Sequence, residues 1–251
     1  ALALEAGVSE PTVNRFCRSL ETRGFPDFKL HLAQSLAHGT LYVNRNVDED
    51  DSVESYTGKI FESAMASLDQ VHHSLDMSAV NRAVDLLTQA KKIAFFGLGS
   101  SAAVAHDAMN KFFRFNVPVI YSDDIVLQRM SCMNCNDDDV VVIISHTGRT
   151  KSQVELAQLA RENDAMVIAL TSAGTPLARE ATLAITLDVP EDTDIYMPMV
   201  SRLAQLTVID VLATGFTLRR GAKFRDNLKR VKEALKESRF DKEPFVPSDN
   251  Q

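Results

Sequence analysis

The sequence predicts an α/β protein with a doubly wound parallel sheet, preceded by a partial all-α helix-turn-helix segment. Residues 140–144 form an unbroken β-branched run, which is the pattern of a strand buried on both faces. From Lys92 onwards, short apolar runs alternate with amphipathic helical patterns, as in parallel sheets that are covered by helices. Before Lys92 the only regular periodicity is helical. We therefore expect one parallel sheet with a helical segment in front of it.

The beginning of the chain has the pattern of two helices joined by a tight turn. Residues 1–6 end at Gly7, a helix-stop signal, and Ser9 then caps a second helix with Pro11 in its first turn. The second helix is predicted to bury Val13, Phe16, Cys17 and Leu20. The outward residues predicted to contact DNA are Ser9, Glu10, Thr12, Asn14, Arg15 and Arg18. The alternative is a small helical hairpin with a solvated face, because acidic residues balance the basic ones here.

The chain is predicted to divide into four segments. We expect a DNA-binding segment at 1–38 without its amino-terminal part, a linker at 39–51, a domain with its preceding helices at 52–240, and a disordered tail at 241–251. The chain starts at Ala1 inside a helical pattern, which indicates a fragment that would bind DNA poorly by itself.

The sheet region is predicted to contain five strands. They are residues 93–96, 117–121, 140–144, 165–170 and 183–187. Helices are expected after each of the first three strands. They are followed by an apolar helix at 200–218 and by a last helix with a basic exposed side, which is marked by Phe224, Leu228, Val231 and Leu235. The common strand order for such a chain is 2-1-3-4-5, in which strands one and three are neighbours.

A hydroxyl-rich loop, Ser145-His146-Thr147-Gly148-Arg149-Thr150, follows the third strand. It would connect the carboxyl end of a strand to the amino end of a helix, where backbone N–H groups favour anions. Thr150 and Gln153 have the spacing of a capping box. Hydroxyl donors, together with a glycine that lets the backbone come close, suit a phosphate monoester. The alternative is that Ser145 and Thr150 only cap the helix.

A second loop, Gly97-Leu98-Gly99-Ser100-Ser101, follows the first strand. With Ala102 it resembles a dinucleotide fingerprint, and Asp123 or Asp124 follows the next strand. In the order 2-1-3-4-5, however, this loop faces the loop at 145–150 across one crevice. Two hydroxyl-bearing loops at one point favour a compact phosphorylated sugar over an extended dinucleotide.

Composition excludes several classes of protein. A net charge of −7 over 251 residues excludes a non-specific nucleic-acid binder. No apolar run approaches the roughly 18 residues of a membrane span. Three cysteines do not form a disulfide framework, so we expect a reducing cytoplasm. Cys132 and Cys135 would close a helix without further ligands nearby, which favours structural thiols over zinc or redox chemistry. His146 has no visible orienting partner, so we expect no catalytic residue, metal or cofactor.

The two loops resemble the sugar isomerase (SIS) domain, a phosphosugar-binding module. Residues 8–16 (VSEPTVNRF) and 25–29 (FPDFK) resemble the recognition-helix segment of the RpiR family of bacterial transcriptional regulators. Residues 201–206 (SRLAQL) resemble the late-helix signature of that family. These motifs occur in the order found in that family and together span nearly the whole chain. The resemblance implies a flavodoxin-like strand order.

The resemblance implies a regulator of sugar catabolism that binds operator DNA as the full-length protein. It implies a phosphorylated sugar acid as effector, 2-keto-3-deoxy-6-phosphogluconate, with Ser101 and Ser145 matching effector-binding serines. The predicted effector-binding residues are Ser100, Ser101, Ser145, His146, Thr147, Gly148, Thr150 and Arg202. Arg149 or Arg202 would meet the effector carboxylate. A homodimer or higher homo-oligomer suits a palindromic operator, and no membrane partner is expected. The alternative function is a sugar-phosphate isomerase, against which the helix-turn-helix argues.

Overall fold

The computed structural model describes residues 7–19, 22–29, 51–189, 191 and 200–234. These residues form two compact units, one with residues up to 70 plus 191 and 200, the other with 71–189 and 201–234. The predicted first helix of the helix-turn-helix, the linker before residue 51 and the tail at 241–251 lie outside the described residues. The described helices include none with the length and apolarity that crossing a bilayer requires.

The first unit contains helix α1 (Glu10–Ser19), which begins where the sequence predicts it. Ser9 occupies the cap position, and its side-chain oxygen accepts a hydrogen bond from the Thr12 N–H at 3.4 Å. Residues 25–29 are helical again. Cys17 is fully buried as predicted, but the prediction for Phe16 is wrong, because its side chain is 54% exposed. The Phe16 ring instead makes an edge contact with Phe28, with centroids 6.0 Å apart.

The second unit contains a five-stranded parallel sheet in the order β2-β1-β3-β4-β5, which confirms the predicted order. Two helices precede the sheet in sequence: α2 (Val53–Ser74), most of which belongs to the first unit, and α3 (Met77–Gln89), which belongs to the second. The strands are β1 (Lys92–Gly97), β2 (Val119–Ser122), β3 (Asp139–Ile144), β4 (Met166–Thr171) and β5 (Leu183–Thr186). The helices after β1 are α4 (Ser100–Phe112), α5 (Ile125–Met133), α6 (Lys151–Glu162), α7 (Pro176–Glu180) and α8 (Val200–Ala234).

Helices cover both faces of the sheet, and adjacent phenylalanines of β1 show why. Phe95 packs against Phe112 of α4, with ring centroids 5.1 Å apart. Phe96 points to the opposite face, where it joins a core cluster with Leu156 of α6. All six residues of β3 are buried, as expected for a central strand covered on both sides.

Two features of the helices refine the predictions. α7 was not predicted, because five residues are too short to show a helical period. The two helices predicted near the end of the domain are confirmed as the two parts of α8, which are separated by non-helical backbone at Gly221 (φ 77°, ψ −165°). A left-handed φ of this kind favours glycine, which explains why the break falls at that residue.

Candidate functional site

The two hydroxyl-bearing loops begin side by side on neighbouring strands. Gly97, the last residue of β1, is in register with Ile144, the last residue of β3. Adjacent strands lie about 4.8 Å apart, so the loops that leave them start as close neighbours. Ser101 lies in the first turn of α4 and is 8% exposed, while Ser145 directly follows β3 and is 7% exposed. The structure therefore brings Ser100, Ser101 and the loop at 145–150 to one edge of the sheet.

The helices that begin at these loops lack side-chain caps. α4 begins after Gly99 and α6 after Thr150, and neither start has a side-chain cap hydrogen bond. In contrast, Asp76, Asp124 and Thr175 accept hydrogen bonds from the first backbone N–H groups of α3, α5 and α7. An uncapped helix start presents N–H donors and a partial positive charge. At this edge of the sheet, both features suit an anion.

The predicted capping box at the start of α6 is wrong. Thr150 is exposed and makes no cap bond, so its hydroxyl is not used to terminate the helix. Gln153 is 1% exposed and turns inward, where its Nε2 donates to Oε1 of Gln128 at 2.9 Å. The sequence analysis did not single out Gln128, and it assigned Gln153 to the wrong role. The available signal was the helical spacing, because Gln153 falls on the same face as the buried Leu156, Ala157 and Ala160.

A third loop supports the 145–150 loop from behind. The His146 carbonyl accepts hydrogen bonds from the N–H and the Oγ of Ser172, each at 3.0 Å. The Gly148 carbonyl accepts from the Leu177 N–H at 3.1 Å. Within the loop, the Arg149 N–H donates to Oγ1 of Thr147 at 3.4 Å. Ser172 therefore has a supporting role that the sequence did not reveal, because its partners are backbone groups distant in the chain.

Gly148 is required at its position by both backbone conformation and space. Its φ is +57°, which L side chains rarely adopt. A Cβ added there would lie 2.3 Å from Oγ1 of Thr175 and 2.5 Å from Oγ1 of Thr171. The loop thus passes directly over these threonines, and the Thr171 hydroxyl donates to the His146 carbonyl at 3.4 Å.

Arg202 is the one predicted effector residue outside the two loops. It lies in the first turn of α8 and is partly buried, between the buried Ser201 and the exposed Leu203. Within the described part of the chain, its guanidinium makes no hydrogen bond to either loop. Its role toward a ligand carboxylate remains a prediction.

The outward face of α1 divides into residues that hold the helix and residues that project from it. Ser9 and Thr12 bond to each other, with their oxygens 2.9 Å apart. Asn14 Oδ1 accepts a hydrogen bond from the Phe25 N–H at 3.3 Å, which joins α1 to the next helical segment. Glu10, Arg15 and Arg18 are exposed. Arg15 and Arg18 therefore offer the cations with which this face would meet a nucleic acid.

The two cysteines of the C-x-x-C lie at the carboxyl end of α5, as predicted. Cys132 is fully buried, and burial raises the pKa of its thiol to about 12. Burial also raises the pKa of Cys135. Neither thiol ionises readily near neutral pH, which favours the structural interpretation.

Comparisons with known proteins agree with this architecture. Residues 86–215 match the SIS domain, and residues 1–39 match the helix-turn-helix domain of the rpiR family. The chain is 90% identical over 251 residues to the HTH-type transcriptional regulator HexR of Escherichia coli K12, covering all of this chain and 87% of that protein. It is 57% identical over 240 residues to HexR of Pseudomonas aeruginosa, covering 96% and 84%.

Among solved structures, the Vibrio vulnificus NanR protein complexed with ManNAc-6P is 26% identical. It aligns with a TM-score of 0.69 over 95% of this chain and 85% of that one. The sugar isomerase domain of an RpiR transcription factor from Sphaerobacter thermophilus, at 17% identity and a TM-score of 0.63 over 72% and 98%, shares the fold. The named relatives are regulators, which confirms the expectation of a regulator over an isomerase. The chain belongs to the RpiR family of helix-turn-helix transcriptional regulators that carry a SIS domain.

Proposed function

We propose that this regulator senses a phosphorylated sugar acid, 2-keto-3-deoxy-6-phosphogluconate, in the crevice between the β1–α4 and β3–α6 loops. The main observation behind the proposal is that α4 and α6 both begin without a side-chain cap and follow the neighbouring strands β1 and β3. Ser101 and Ser145 flank these starts and would donate to the phosphate, with Ser100, Thr147 and Thr150 beside them. Because the net charge is −7, long-range attraction does not favour the anion, and local donors must hold it.

The identity of the ligand is supported by two kinds of relative. The V. vulnificus NanR protein is described in complex with ManNAc-6P, a phosphorylated sugar, and it aligns over nearly the whole chain. The HexR relatives share most of this sequence, and the resemblance to that regulator implies the sugar acid. A sugar acid carries a carboxylate besides its phosphate, for which Arg202 or Arg149 would supply the cation. His146 and Gly148 would complete the pocket from the same loop.

We further propose that residues 1–38 form the DNA-binding segment, 39–51 the linker, 52–240 the effector domain with its preceding helices, and 241–251 a tail. Ser9, Glu10, Thr12, Asn14, Arg15 and Arg18 would form the DNA-facing side of α1. Two of them, Ser9 and Asn14, also hold the local structure together, so their replacement tests folding as well as DNA binding.

Ser101→Ala and Ser145→Ala are expected to weaken binding of the sugar acid by about one to two orders of magnitude each. A hydrogen bond to a charged group contributes roughly 1.5–3 kcal/mol, and 1.4 kcal/mol corresponds to tenfold. The measurement is calorimetric titration of 2-keto-3-deoxy-6-phosphogluconate into each variant. Ser131→Ala is a matched control, because this half-buried serine of α5 has a buried hydroxyl oxygen with no hydrogen-bond partner among the described residues. Wild-type affinity in both loop variants would place the phosphate elsewhere.

Arg15→Ala and Arg18→Ala are expected to weaken operator binding by the full-length protein. Loss of a good base contact costs roughly 1–3 kcal/mol, whereas loss of a phosphate contact weakens binding to all sequences and flattens the salt dependence. Binding to DNA selected by the full-length protein should be measured at several salt concentrations. Arg82→Ala, an exposed arginine of α3, serves as the control. Unchanged affinity in both α1 variants would mean that another face meets the DNA.

A further inference from the structure

Two buried glutamines lie beneath the two loops of the proposed site. Gln128 of α5 has no exposed surface, and Gln153 in the first turn of α6 is almost as deeply buried. Burying an amide is costly unless its polar atoms are hydrogen-bonded, and an aliphatic side chain fills similar space without that cost. Two adjacent amides at this depth therefore call for a specific role.

The hydrogen bonds determine how each amide is oriented. Nε2 of Gln128 donates to the carbonyl of Ser122 at 2.7 Å and to the carbonyl of Gly97 at 3.3 Å. Because both partners are acceptors, this end of the amide must be the nitrogen. Its oxygen is then available to accept from Nε2 of Gln153 at 2.9 Å, which orients the second amide as well. Replacing either glutamine by a carboxylate or an apolar group removes at least one hydrogen bond of this network.

These hydrogen bonds connect the structural elements that carry the two loops. Gly97 ends β1 and immediately precedes the loop with Ser100 and Ser101. Gln153 is the third residue of α6 and follows the loop at 145–150. Gln128 is thus bonded to the base of one loop and, through Gln153, to the helix that begins at the other. Ser122, the last residue of β2, anchors the same amide on the third neighbouring strand.

One atom of this arrangement is not used by the described residues. Oε1 of Gln153 is buried and has no hydrogen-bond donor among them. The other three polar atoms of the two amides are engaged, so the pair is not an isolated, self-sufficient packing element. Its remaining acceptor lies on the first turn of the helix whose uncapped start faces the crevice.

We propose that the Gln128–Gln153 pair is a positioning device that sets the spacing of the two loops around one phosphate group. The proposal rests on the proposed function, because it assigns the pair to that same site. The glutamines do not touch the ligand themselves. They hold the Ser101 turn and the start of α6 at the distance at which both can donate to the same anion.

The experiment is calorimetric titration of two probes, 2-keto-3-deoxy-6-phosphogluconate and inorganic phosphate, into the full chain and its Gln153→Met, Gln128→Met and double variants. Each single variant should lose about tenfold in affinity, the loss that accompanies one orienting hydrogen bond. Both probes should lose the same factor, because phosphate is the part they share. The double variant should lose little more than either single one, since the two residues act as a unit.

Controls separate positioning from general stability. Leu156→Ala removes a fully buried side chain one turn further along α6, so it should lower the free energy of unfolding but leave affinity unchanged. Gln153→Asn keeps the amide but shortens its reach. It should lose as much affinity as Gln153→Met, and it replaces that variant in the titration if Gln153→Met does not fold.

Three results would overturn the inference. The first is wild-type affinity for both probes in glutamine variants that fold. The second is a loss of affinity in Leu156→Ala equal to that in the glutamine variants. The third is a loss of affinity for the sugar acid without a loss for inorganic phosphate. Failure of the proposed function looks different, because then wild type itself would not bind the sugar acid or Ser145→Ala would bind it normally.

Discussion

Gly148→Ala is expected to lower the free energy of unfolding by about 2–5 kcal/mol and to remove measurable effector binding. The left-handed backbone costs an L residue roughly 1–2 kcal/mol, and overpacking a filled site typically costs about 1–3 kcal/mol. The added methyl would collide with the hydroxyls of Thr171 and Thr175. The Thr175 hydroxyl donates to the Ser172 carbonyl at 3.0 Å, so it cannot rotate away without losing that bond. The loop must move, and the Ser145 turn moves with it.

The matched control for this substitution is Gly174→Ala. Gly174 also has a left-handed backbone (φ +68°), but a Cβ there meets no atom within 4 Å. It therefore reports the backbone cost alone, about 1–2 kcal/mol. Denaturant unfolding of both variants should show that Gly148→Ala is the more destabilised. Equal losses in the two variants would mean that the threonines yield to the methyl group and do not fix the loop.

Gly97→Ala is expected to disturb the other half of the site through backbone atoms alone. A Cβ at this position would lie 2.6 Å from the carbonyl oxygen of Ser101 and 2.7 Å from its carbon. A flexible side chain could turn aside, but the first turn of a helix cannot. The start of α4 must therefore move away from β1, at a cost of about 1–3 kcal/mol. Effector affinity should fall by at least the tenfold to hundredfold expected for Ser101→Ala.

Calorimetric titration and denaturant unfolding of Gly97→Ala test this expectation together. Gly58→Ala is the contrasting control, because Gly58 lies within α2 and an added Cβ meets no atom within 4 Å. Alanine in a helix interior is favoured over glycine by up to about 1 kcal/mol. Gly58→Ala should thus be slightly more stable and bind effector normally. Normal effector affinity in Gly97→Ala would show that the position of the Ser101 turn does not matter for binding.

The sheet could be predicted because its signals are local and repeated. The β-branched run at 140–144 and the alternation of apolar runs with helical patterns from Lys92 onwards predict the strands, and the common connection rules predict their order. The two loops could be predicted for the same reason, since each follows directly from the end of a strand. Even the start of α1 at Ser9 is a local signal.

The supporting contacts could not be predicted, because they depend on atoms far apart in sequence. Thr150 and Gln153 have the spacing of a capping box, but the Gln153 amide donates to the buried Gln128 of α5 and does not cap the helix. Ser172 supports the loop at 145–150, about 25 residues earlier in the chain, by a hydrogen bond to the His146 carbonyl. Thr175 lies directly against Gly148, which has no side chain. Phe16 is predicted to be buried because apolar residues usually are, but its ring meets Phe28 only by an edge contact, and its side chain is 54% exposed.

The adjacency of β1 and β3 has a consequence for the kinetics of folding. The two strands pair directly, yet α4, β2 and α5 separate them along the chain. The loops meet only when this long crossover has closed, and contacts of such sequence separation slow folding. A ligand that needs both loops stabilises the finished sheet but not a partly folded chain. Effector should therefore slow unfolding while leaving the folding rate unchanged. If the proposed site between the two loops is correct, a newly made chain can bind the effector only after its sheet is complete, and bound effector lowers the rate at which the sheet opens.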